Sequence, residues 1–381
     1  MASLPAESSP PTNVRHYVVG LATAMAVLLY LDRLCLATMM ASIEVDLSLD
    51  RVEKDMLQSA FFLTYALAQI PAGWLSDRFG SRGMLTVYIL MWSLCTGLMG
   101  AASTIALLLA CRFGVGLFQA GAYPTSGGLL SQWVPFSARG LASGIVSTGG
   151  RIGGFVAPVL TAYLIVWMGG WRPVLVVYGL VGAVVAGLFW LVVRDRPRRH
   201  PACNAGEVAL IEGGAVRKAE PARGMPLKAM LLSPGLWLSS VSQFTTNFAW
   251  AFLFTSFPDY LREKHQIEAI ERGWMTTLPL LVGAIGMVAG GWLTDFLTRR
   301  LGLRWGRALP MGLTRFVAMA AFLACTGLSD VWAVTAAVAC VAFATDLGTP
   351  ALWAYVQDAG GRYVGSVLGW GNMWGNLGAA L

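Results

Sequence analysis

Long runs of apolar residues alternate with short polar segments along almost the whole chain. Each run holds roughly 20 residues or more, the length that an α-helix needs to cross about 30 Å of hydrocarbon. The alternating pattern of a membrane β-barrel, about ten residues per span, is absent from the sequence. The runs predict eleven membrane-spanning helices, at 17–40, 56–75, 84–102, 105–133, 139–166, 172–193, 233–257, 273–297, 308–328, 331–353 and 362–381.

The composition agrees with a membrane protein. Of the 381 residues, 56% are hydrophobic and only 12% are charged, whereas an ordinary soluble domain is about 25% charged. The 44 glycines suit close contact between helices in lipid. The sequence therefore predicts an all-α polytopic membrane protein.

The basic residues predict the orientation of the chain. Lys and Arg are concentrated in the segments that share a side with the N-terminus, which places that side in the cytosol. Residues 1–16 are then a cytosolic tail and 194–232 a cytosolic basic loop. Residues 1–13 carry no basic region ahead of the apolar run, so no cleavable signal peptide is predicted. The positive charge is thus explained by topology, and no nucleic-acid partner is expected.

A short segment occurs twice. Gly73 to Arg82 reads GWLSDRFGSR, and Gly291 to Arg300 reads GWLTDFLTRR, an offset of 218 residues (291 − 73 = 218). Each copy lies between the second and third span of a set of six, which predicts two tandem halves, 17–193 and 233–381. The same offset places the end of the second half near 411 (193 + 218 = 411). We therefore expect the second half to be truncated, with the twelfth span missing.

The repeated segment has the chemistry of a contact between helix ends. Its glycines let two helix ends approach closely, its Asp can cap a neighbouring helix, and its Arg residues add cytosolic charge. The alternative is that these are topogenic charges beside helix ends. We predict a gating loop formed by Gly73, Asp77, Arg78, Arg82, Gly291 and Asp295.

The usual sites of enzymes are missing from the sequence. His16, His200 and His265 lie far apart, and no Lys follows a Gly as a P-loop requires. No nucleophile elbow is visible. The protein is therefore predicted not to be an enzyme, with no cofactor, no metal and no ATP hydrolysis, and the energy for any transport would come from a gradient.

Few charged residues lie inside the predicted spans, where an ionisable group costs at least about 2.5–3.5 kcal/mol and usually has a function. They include Asp32 and Arg33 in the first span, Arg112 in the fourth, Arg151 in the fifth and Arg315 in the ninth. Neighbouring residues on a helix point about 100° apart, so Asp32 and Arg33 face different surroundings. One can face a cavity; alternatively, Asp32 forms an ion pair with Arg112 or Arg151 that fixes helix packing. The two roles are compatible.

Several segments together resemble one family. They are YLDR in the first span, LTYALAQIPAGWLSDRFG in the second, RFGVGLFQAGAYP in the fourth, GGWRPV before the sixth, RDRPRRHPACNAGEVALI after it and NMWGNLGAAL at the end. They resemble the anion:cation symporter family of the major facilitator superfamily, which includes bacterial transporters of hexonates and hexuronates. The resemblance implies two six-helix halves that alternate around a central cavity, with an organic anion held by arginines and driven by protons.

The resemblance also implies which residues form the site. Asp32 would be the titrating carboxylate, and Gln119 stands where the family usually has a Glu, which puts coupling through two carboxylates in doubt. Guanidinium groups suit a carboxylate, and Tyr and Asn suit hydroxyl groups. The implied substrate-binding residues are Tyr30, Arg33, Tyr65, Arg112, Gln119, Trp353, Asn372 and Asn376.

The predicted function is import of a small organic anion, a sugar acid such as a hexuronate or aldonate, by proton symport across the inner membrane. A uniporter or exchanger is the alternative that Gln119 favours, and a non-transporting sensor on the same fold is another. The expected partners are the organic anion, a proton and the lipid bilayer. The protein is expected to act as a monomer.

Overall fold

The computed structural model describes residues 10–213 and 224–380, and it leaves the side chains of 252–255, 269–270 and 380 outside that description. Within these ranges the chain is helical almost throughout and contains no β-strand. Part of the predicted cytosolic tail (1–9), part of the predicted loop (214–223) and Leu381 lie outside the described residues.

The first half consists of seven helices. The predicted fourth span, 105–133, is two consecutive helices, and the Tyr88 ring occupies the space that a Cβ at Gly121, between them, would need. The helices are α1 (Val14–Leu47), α2 (Arg51–Phe79), α3 (Ser81–Met99), α4 (Ile105–Gln119), α5 (Ala122–Trp133), α6 (Arg139–Met168) and α7 (Trp171–Val192).

Two short helices, α8 (Ala205–Glu212) and α9 (Leu227–Leu231), lead to the second half. The second half consists of α10 (Pro234–Glu263), α11 (Ala269–Cys325), α12 (Val331–Ala359) and α13 (Val364–Ala380).

Helix α11 contains two predicted spans, 273–297 and 308–328. Its chain turns at Gly302, where φ is 78°, a conformation that favours glycine. The turn brings Gly306 back beside Thr298, because a Cβ on Gly306 would lie 2.4 Å from the Thr298 Cα. The two predicted spans are therefore separate segments joined by a tight turn.

Seven described helical segments are long and apolar enough to cross a membrane, and one of them, Glu271–Cys325, includes both arms of α11. Helices α2 and α10 are similarly long, at 29 and 30 residues, and pack among them. Large apolar side chains such as Val166 and Trp167 are exposed on the outer faces, as lipid contact requires. The fold is that of a multi-pass helical membrane protein.

The two halves meet mainly where α2 and α5 pack against α13 and where α6 packs against α11 and α12. Glycines allow these helices to approach closely. A Cβ on Gly73 would lie 2.1 Å from the carbonyl oxygen of Gly365, and a Cβ on Gly291 would lie 2.8 Å from that of Gly140. Contacts of this kind hold the halves together on the side that carries the α2–α3 turn and α8, hereafter the loop side.

Candidate functional site

Arg33 of α1 is surrounded by aromatic rings. Its Cζ lies 4.4 Å from the ring centroid of Tyr65 and 5.1 Å from those of Tyr30 and Phe61. Cation–π contacts of this kind hold a guanidinium without using its hydrogen-bond donors. In the described part of the chain, Nε and Nη2 of Arg33 have no hydrogen-bond partner. Arg33 therefore offers donors inside a partly enclosed site.

Arg112 of α4 contacts the same Phe61 ring, at 4.6 Å from its centroid. Its side chain is almost fully buried, and Nη2 donates a hydrogen bond to Gln58 Oε1 at 3.3 Å. Nε and Nη1 find no partner among the described residues. The structure thus brings Arg33 and Arg112, both predicted site residues, to one aromatic ring.

Asp32 makes no described hydrogen bond or ion pair with these two arginines. Its side chain is fully buried, and Oδ2 accepts a hydrogen bond of 2.9 Å from Nε1 of Trp92 on α3. The alternative role of Asp32, an ion pair with Arg112 or Arg151, is not seen among the described residues: Arg112 donates to Gln58, and Arg151 pairs with Asp346. The angle of about 100° between successive residues turns Asp32 toward α3 instead.

Gln119 lies at the contact of α4 with α1. Its side chain is fully buried, and Nε2 donates to the carbonyl oxygen of Leu29 at 3.4 Å. This amide therefore links two helices of the first half, one helical turn from Asp32.

The second half contributes Trp353 of α12, whose ring meets Tyr123 of α5 edge-on at 5.2 Å between centroids. Asn372 and Asn376 lie one turn apart on α13, and the Asn376 amide donates to the Asn372 carbonyl at 2.7 Å. No described contact joins these two residues to Arg33 or Arg112. Of the residues predicted in the second half, Trp353 is thus the one that contacts an aromatic residue of the first half.

A further ion pair joins the halves deep in the bundle. Arg151 of α6 donates to Asp346 Oδ1 of α12 at 2.9 Å, and its Cζ lies 3.9 Å from the ring centroid of Trp250 on α10. Arg315 lies nearby on α11 and donates to the carbonyl of Thr345 at 3.3 Å. The sequence reading singled out Arg151 and Arg315 but missed Asp346. Asp346 is an isolated carboxylate inside the tenth predicted span, and this feature alone would have indicated it.

The first copy of the repeated segment caps a helix of the second half. The Asp77 carboxylate accepts hydrogen bonds of 2.8 Å from the backbone N–H groups of Gly365 and Ser366, and one of 2.7 Å from the Ser366 hydroxyl. These donors belong to the first turn of α13. A carboxylate is favourable there because it binds unpaired N–H groups and complements the helix dipole.

The second copy does the same in the opposite direction. Asp295 accepts hydrogen bonds of 2.8 Å each from the backbone N–H groups of Gly140 and Leu141, in the first turn of α6. Each half therefore caps a helix of the other half on the loop side.

The two predicted arginines of the gating loop contact residues of the first half and of the segment that directly follows it. Arg82 donates through its backbone N–H to Asp195 at 2.8 Å and through its guanidinium to the Trp190 carbonyl. The Cζ of Arg78 lies 5.4 Å from the Trp74 ring and 5.3 Å from that of Phe79.

The sequence reading missed an ion-pair network beside the caps. Asp358 of α12 pairs with Arg139 of α6 at 2.6 Å and with Arg307 of α11 at 2.9 Å. Arg307 also approaches Asp295 at 3.6 Å and donates to the Phe136 carbonyl at 2.7 Å. Because these residues are distant in sequence, only the fold brings them together.

The sequence of this chain is similar to those of known transporters. The family model described as Major Facilitator Superfamily matches residues 22–381. A probable galactarate/D-glucarate transporter, GudP of Bacillus subtilis strain 168, is 31% identical over 366 residues, covering 91% of this chain and 79% of the relative. A probable sulfoacetate transporter, SauU of Cupriavidus necator, is 30% identical, with 94% and 83% covered. The D-galactonate transporter of Escherichia coli O6:H1 is 30% identical, with 81% and 74% covered.

Solved structures share the fold at low identity. The human organic anion transporter MFSD10 (TETRAN) gives a TM-score of 0.72 at 16% identity, covering 97% of this chain and 92% of that one. The fucose:proton symporter FucP of E. coli, with the substitution N162A, gives 0.72 at 14% identity, with 97% and 90% covered. These matches show the arrangement of helices.

Proposed function

Because this chain belongs to the Major Facilitator Superfamily, and the relatives described above are transporters and not enzymes, we propose that it is a transporter. In this proposal it imports a small organic anion, a sugar acid, by proton symport. The two halves alternate around the site between them. In this proposal the protein is a monomer of the inner membrane with a cytosolic N-terminus, its partners are the anion, the proton and the bilayer, and it binds no nucleic acid.

The observation that carries the proposal is the pair of guanidinium groups around Phe61. Arg33 and Arg112 each keep two N–H-bearing nitrogens without a hydrogen-bond partner among the described residues. Buried donors are normally satisfied, and a carboxylate satisfies a guanidinium with short, charge-assisted hydrogen bonds. An anion is therefore the ligand that this site fits.

The surroundings of the arginines favour a hydroxylated anion. Tyr30, Tyr65 and Tyr123 place phenol groups around Arg33, and phenols can donate to and accept from sugar hydroxyls. Trp353, Asn372 and Asn376 complete the proposed cavity from the second half. The names of the relatives, transporters of galactarate, D-glucarate and D-galactonate, support the same class.

The loop-side contacts form the proposed gate. Asp77, which caps α13, and Asp295, which caps α6, tie the halves together on the side that we assign to the cytosol. Release of substrate to that side requires both caps and the Asp358 ion pairs to open. This conformation is therefore assigned to the state that is closed toward the cytosol.

Asp32 is the proposed proton site. It is buried one residue from Arg33, so movement of α1 on substrate binding changes its surroundings. Gln119 cannot carry a proton, so these two positions transfer at most one proton per cycle. The presence of Gln119, which cannot titrate, favours the second candidate function, an exchanger or uniporter of organic anions.

Uptake by proteoliposomes tests the proposal. Vesicles containing the purified protein are given labelled D-galactonate or D-glucarate with a pH gradient, without one, or with internal unlabelled substrate. Accumulation that requires the pH gradient is expected. Exchange without accumulation would support the second candidate, and the lack of both uptake and binding would refute the sugar-acid assignment.

A further inference from the structure

We propose that Arg151 is a second anion site, which Asp346 occupies in this conformation and which the second carboxylate of a dianionic sugar acid takes over during transport. The inference rests on the proposed function and narrows its substrate class from sugar acids to those with two carboxylates. It concerns an ion pair that the predicted site did not include.

The pair lies deep within the bundle and joins the two halves. Arg151 is twelve residues beyond Arg139 on α6 (151 − 139 = 12), and Asp346 is twelve residues before Asp358 on α12 (358 − 346 = 12). At about 1.5 Å per residue, each step corresponds to about 18 Å. The pairs Arg139–Asp358 and Arg151–Asp346 are thus two cross-connections between the same helices, one at the loop side and one near mid-membrane.

Arg151 and Arg33 lie beside the same two tyrosines. Tyr30 and Tyr123 lie within electrostatic range of both guanidinium groups. The α6 backbone also packs against these tyrosines, because a Cβ on Gly150 would lie 2.5 Å from the Tyr123 hydroxyl oxygen and 2.8 Å from the Tyr30 ring. One extended ligand beside the two tyrosines can therefore reach from Arg33 to Arg151.

The charge of the interior calls for a dianion. Deep inside the spans lie four arginines and two aspartates, which leaves an excess of two positive charges (4 − 2 = 2): Arg33, Arg112, Arg151 and Arg315 against Asp32 and Asp346. Uncompensated charge is costly in a medium of low dielectric constant. With both aspartates ionised, a ligand with two carboxylates neutralises this excess, whereas a monocarboxylate leaves one positive charge. Protonation of Asp32 adds one positive charge to either total, so the dianion always leaves the smaller imbalance.

The two members of the ion pair differ in accessibility. The Arg151 side chain is 25% exposed, whereas that of Asp346 is 1% exposed. The Trp250 ring supports the guanidinium at 3.9 Å and fixes its plane. A carboxylate that enters the cavity can therefore approach Arg151 while Asp346 stays buried.

Asp346 keeps a cation beside it when Arg151 changes partner. Arg315 lies close enough to interact electrostatically with Asp346, and it is anchored by the Thr345 carbonyl and the Ser242 hydroxyl, both at 3.3 Å. The exchange thus avoids leaving an unpaired buried charge, which would be strongly unfavourable. It also removes a connection between the halves, so binding of the second carboxylate would release α6 from α12.

The test compares acids of the same carbon skeleton that differ by one carboxylate. Equilibrium dissociation constants of D-glucarate and D-gluconate, and of galactarate and D-galactonate, are measured by calorimetry at neutral pH on the purified full chain. We expect wild type to bind each dicarboxylate at least about tenfold more tightly than its monocarboxylate, as a charge-assisted contact provides.

Two variants and a control assign that preference to Arg151. Arg151→Gln combined with Asp346→Asn replaces both partners by neutral amides, so neither member of the pair is left as an unpaired charge, and it should abolish the preference while D-gluconate affinity changes less than about threefold. Asp346→Asn alone frees Arg151 and should tighten dicarboxylate binding. Arg300→Gln, an exposed loop-side change, should leave all four constants unaltered.

The outcomes separate this inference from the proposed function. Equal affinity of wild type for both members of each pair overturns the second anion site but leaves sugar-acid transport standing. The same conclusion follows if the double variant keeps the preference. If none of the four acids binds, both proposals are refuted.

Discussion

Asp77 and Asp295 occupy equivalent positions in the two copies of the repeated segment, 218 residues apart (295 − 77 = 218), and each caps a helix of the opposite half. Asp77 binds the first turn of α13, and Asp295 binds the first turn of α6. Because each cap crosses between the halves, both must be broken before the loop side can open. Their strength therefore contributes directly to the balance between the closed and open states.

Asp77→Asn should shift that balance toward opening on the loop side. An amide retains one acceptor oxygen but loses the charge and the second acceptor that bind Gly365 and Ser366. Loss of a helix cap costs about 1–2 kcal/mol, which corresponds to roughly a 5- to 30-fold change in population. Distances between spin labels at two exposed residues, Arg199 shortly after α7 and Arg304 in the second half, measure the populations.

Asp195→Asn is the matched control for Asp77→Asn. Asp195 is also a loop-side carboxylate that binds a backbone N–H, that of Arg82, but it follows α7 directly and this contact does not join the two halves. We expect this variant to leave the distance distribution unchanged. Equal shifts in both variants would mean that Asp77 acts through surface charge and not as a cap between halves.

Gly73→Ala tests the close approach of α2 and α13. The new Cβ would lie 2.1 Å from the Gly365 carbonyl oxygen, so the two helices must move apart. We expect slower transport and a smaller closed population. Gly83→Ala, in the first turn of α3, meets no atom within 4 Å and should be tolerated. Transport at the wild-type rate in Gly73→Ala would show that the close approach of α2 and α13 is not needed for transport.

The fold could largely be predicted from the sequence because hydrophobic length and the repeated segment are local signals. The apolar runs located the spans, including the separate spans 273–297 and 308–328 on either side of the turn at Gly302, although the break between α4 and α5 depends on packing and was not predicted. The repeat indicated two tandem halves. It could not name Gly365 and Gly140 as the capped positions, because a backbone N–H group has no sequence signature.

The site was predictable where charge stands out against an apolar background. Arg33 and Arg112 were singled out for that reason, whereas Phe61, which contacts both, resembles any other apolar residue of its span. Asp346 carried the same signal as the arginines and was overlooked. The partners of Arg139 and Arg307 could not be inferred, since Asp358 lies 219 and 51 residues away from them.

Arg112→Lys should weaken binding of a sugar acid by more than about tenfold. Lysine keeps the positive charge but lacks the planar fork that binds a carboxylate through two nitrogens, and it cannot lie flat against Phe61. Calorimetry with D-galactonate and D-glucarate measures the loss. Arg300→Lys, exposed on the loop side, serves as the control. Wild-type affinity in Arg112→Lys would remove this residue from the binding site.

The segment after α7 is fastened to the start of α1 through Glu207 of α8. Its fully buried carboxylate accepts hydrogen bonds from the backbone N–H groups of Val14 and Arg15, at 3.2 and 3.0 Å, and from the Thr12 hydroxyl. Arg15 adds an ion pair at 3.2 Å. Burial alone would raise the pKa of Glu207, but these donors hold it below its ordinary value.

The Glu207 contact should weaken in acid. A lowered pKa in the folded state means that the stabilisation is complete above the ordinary value of 4.5 and is lost as the pH falls through the lowered one. Glu207→Gln should remove most of this contribution at neutral pH, so amide hydrogens of residues 12–16 should exchange several-fold faster. Glu212→Gln, which disrupts an exposed pair with Arg198, is the control. If amide hydrogens of residues 12–16 exchange at the same rate in both variants, the Glu207 contact does not stabilise the start of α1.

Asp32→Asn tests the proposed coupling to protons. Asparagine keeps an acceptor oxygen for the Trp92 Nε1–H, so the packing of α1 against α3 should survive. Its amide cannot bind and release a proton, however. We expect accumulation driven by a pH gradient to be abolished, while exchange of internal for external substrate remains within about threefold of wild type. Asp55→Asn, an exposed carboxylate in the first turns of α2, should leave both activities intact.

Charge movement extends the same test. With Gln119 unable to titrate, one proton at Asp32 makes uptake of a monoanion electroneutral, whereas uptake of a dianion carries one net negative charge inward. An inside-negative potential should therefore slow dicarboxylate uptake and leave monocarboxylate uptake unaffected. Gln119→Glu supplies a second titratable group, so an inside-negative potential should slow dicarboxylate uptake less in this variant than in wild type. If Asp32→Asn still accumulates substrate when only a pH gradient is supplied, Asp32 is a packing residue and protons are coupled elsewhere.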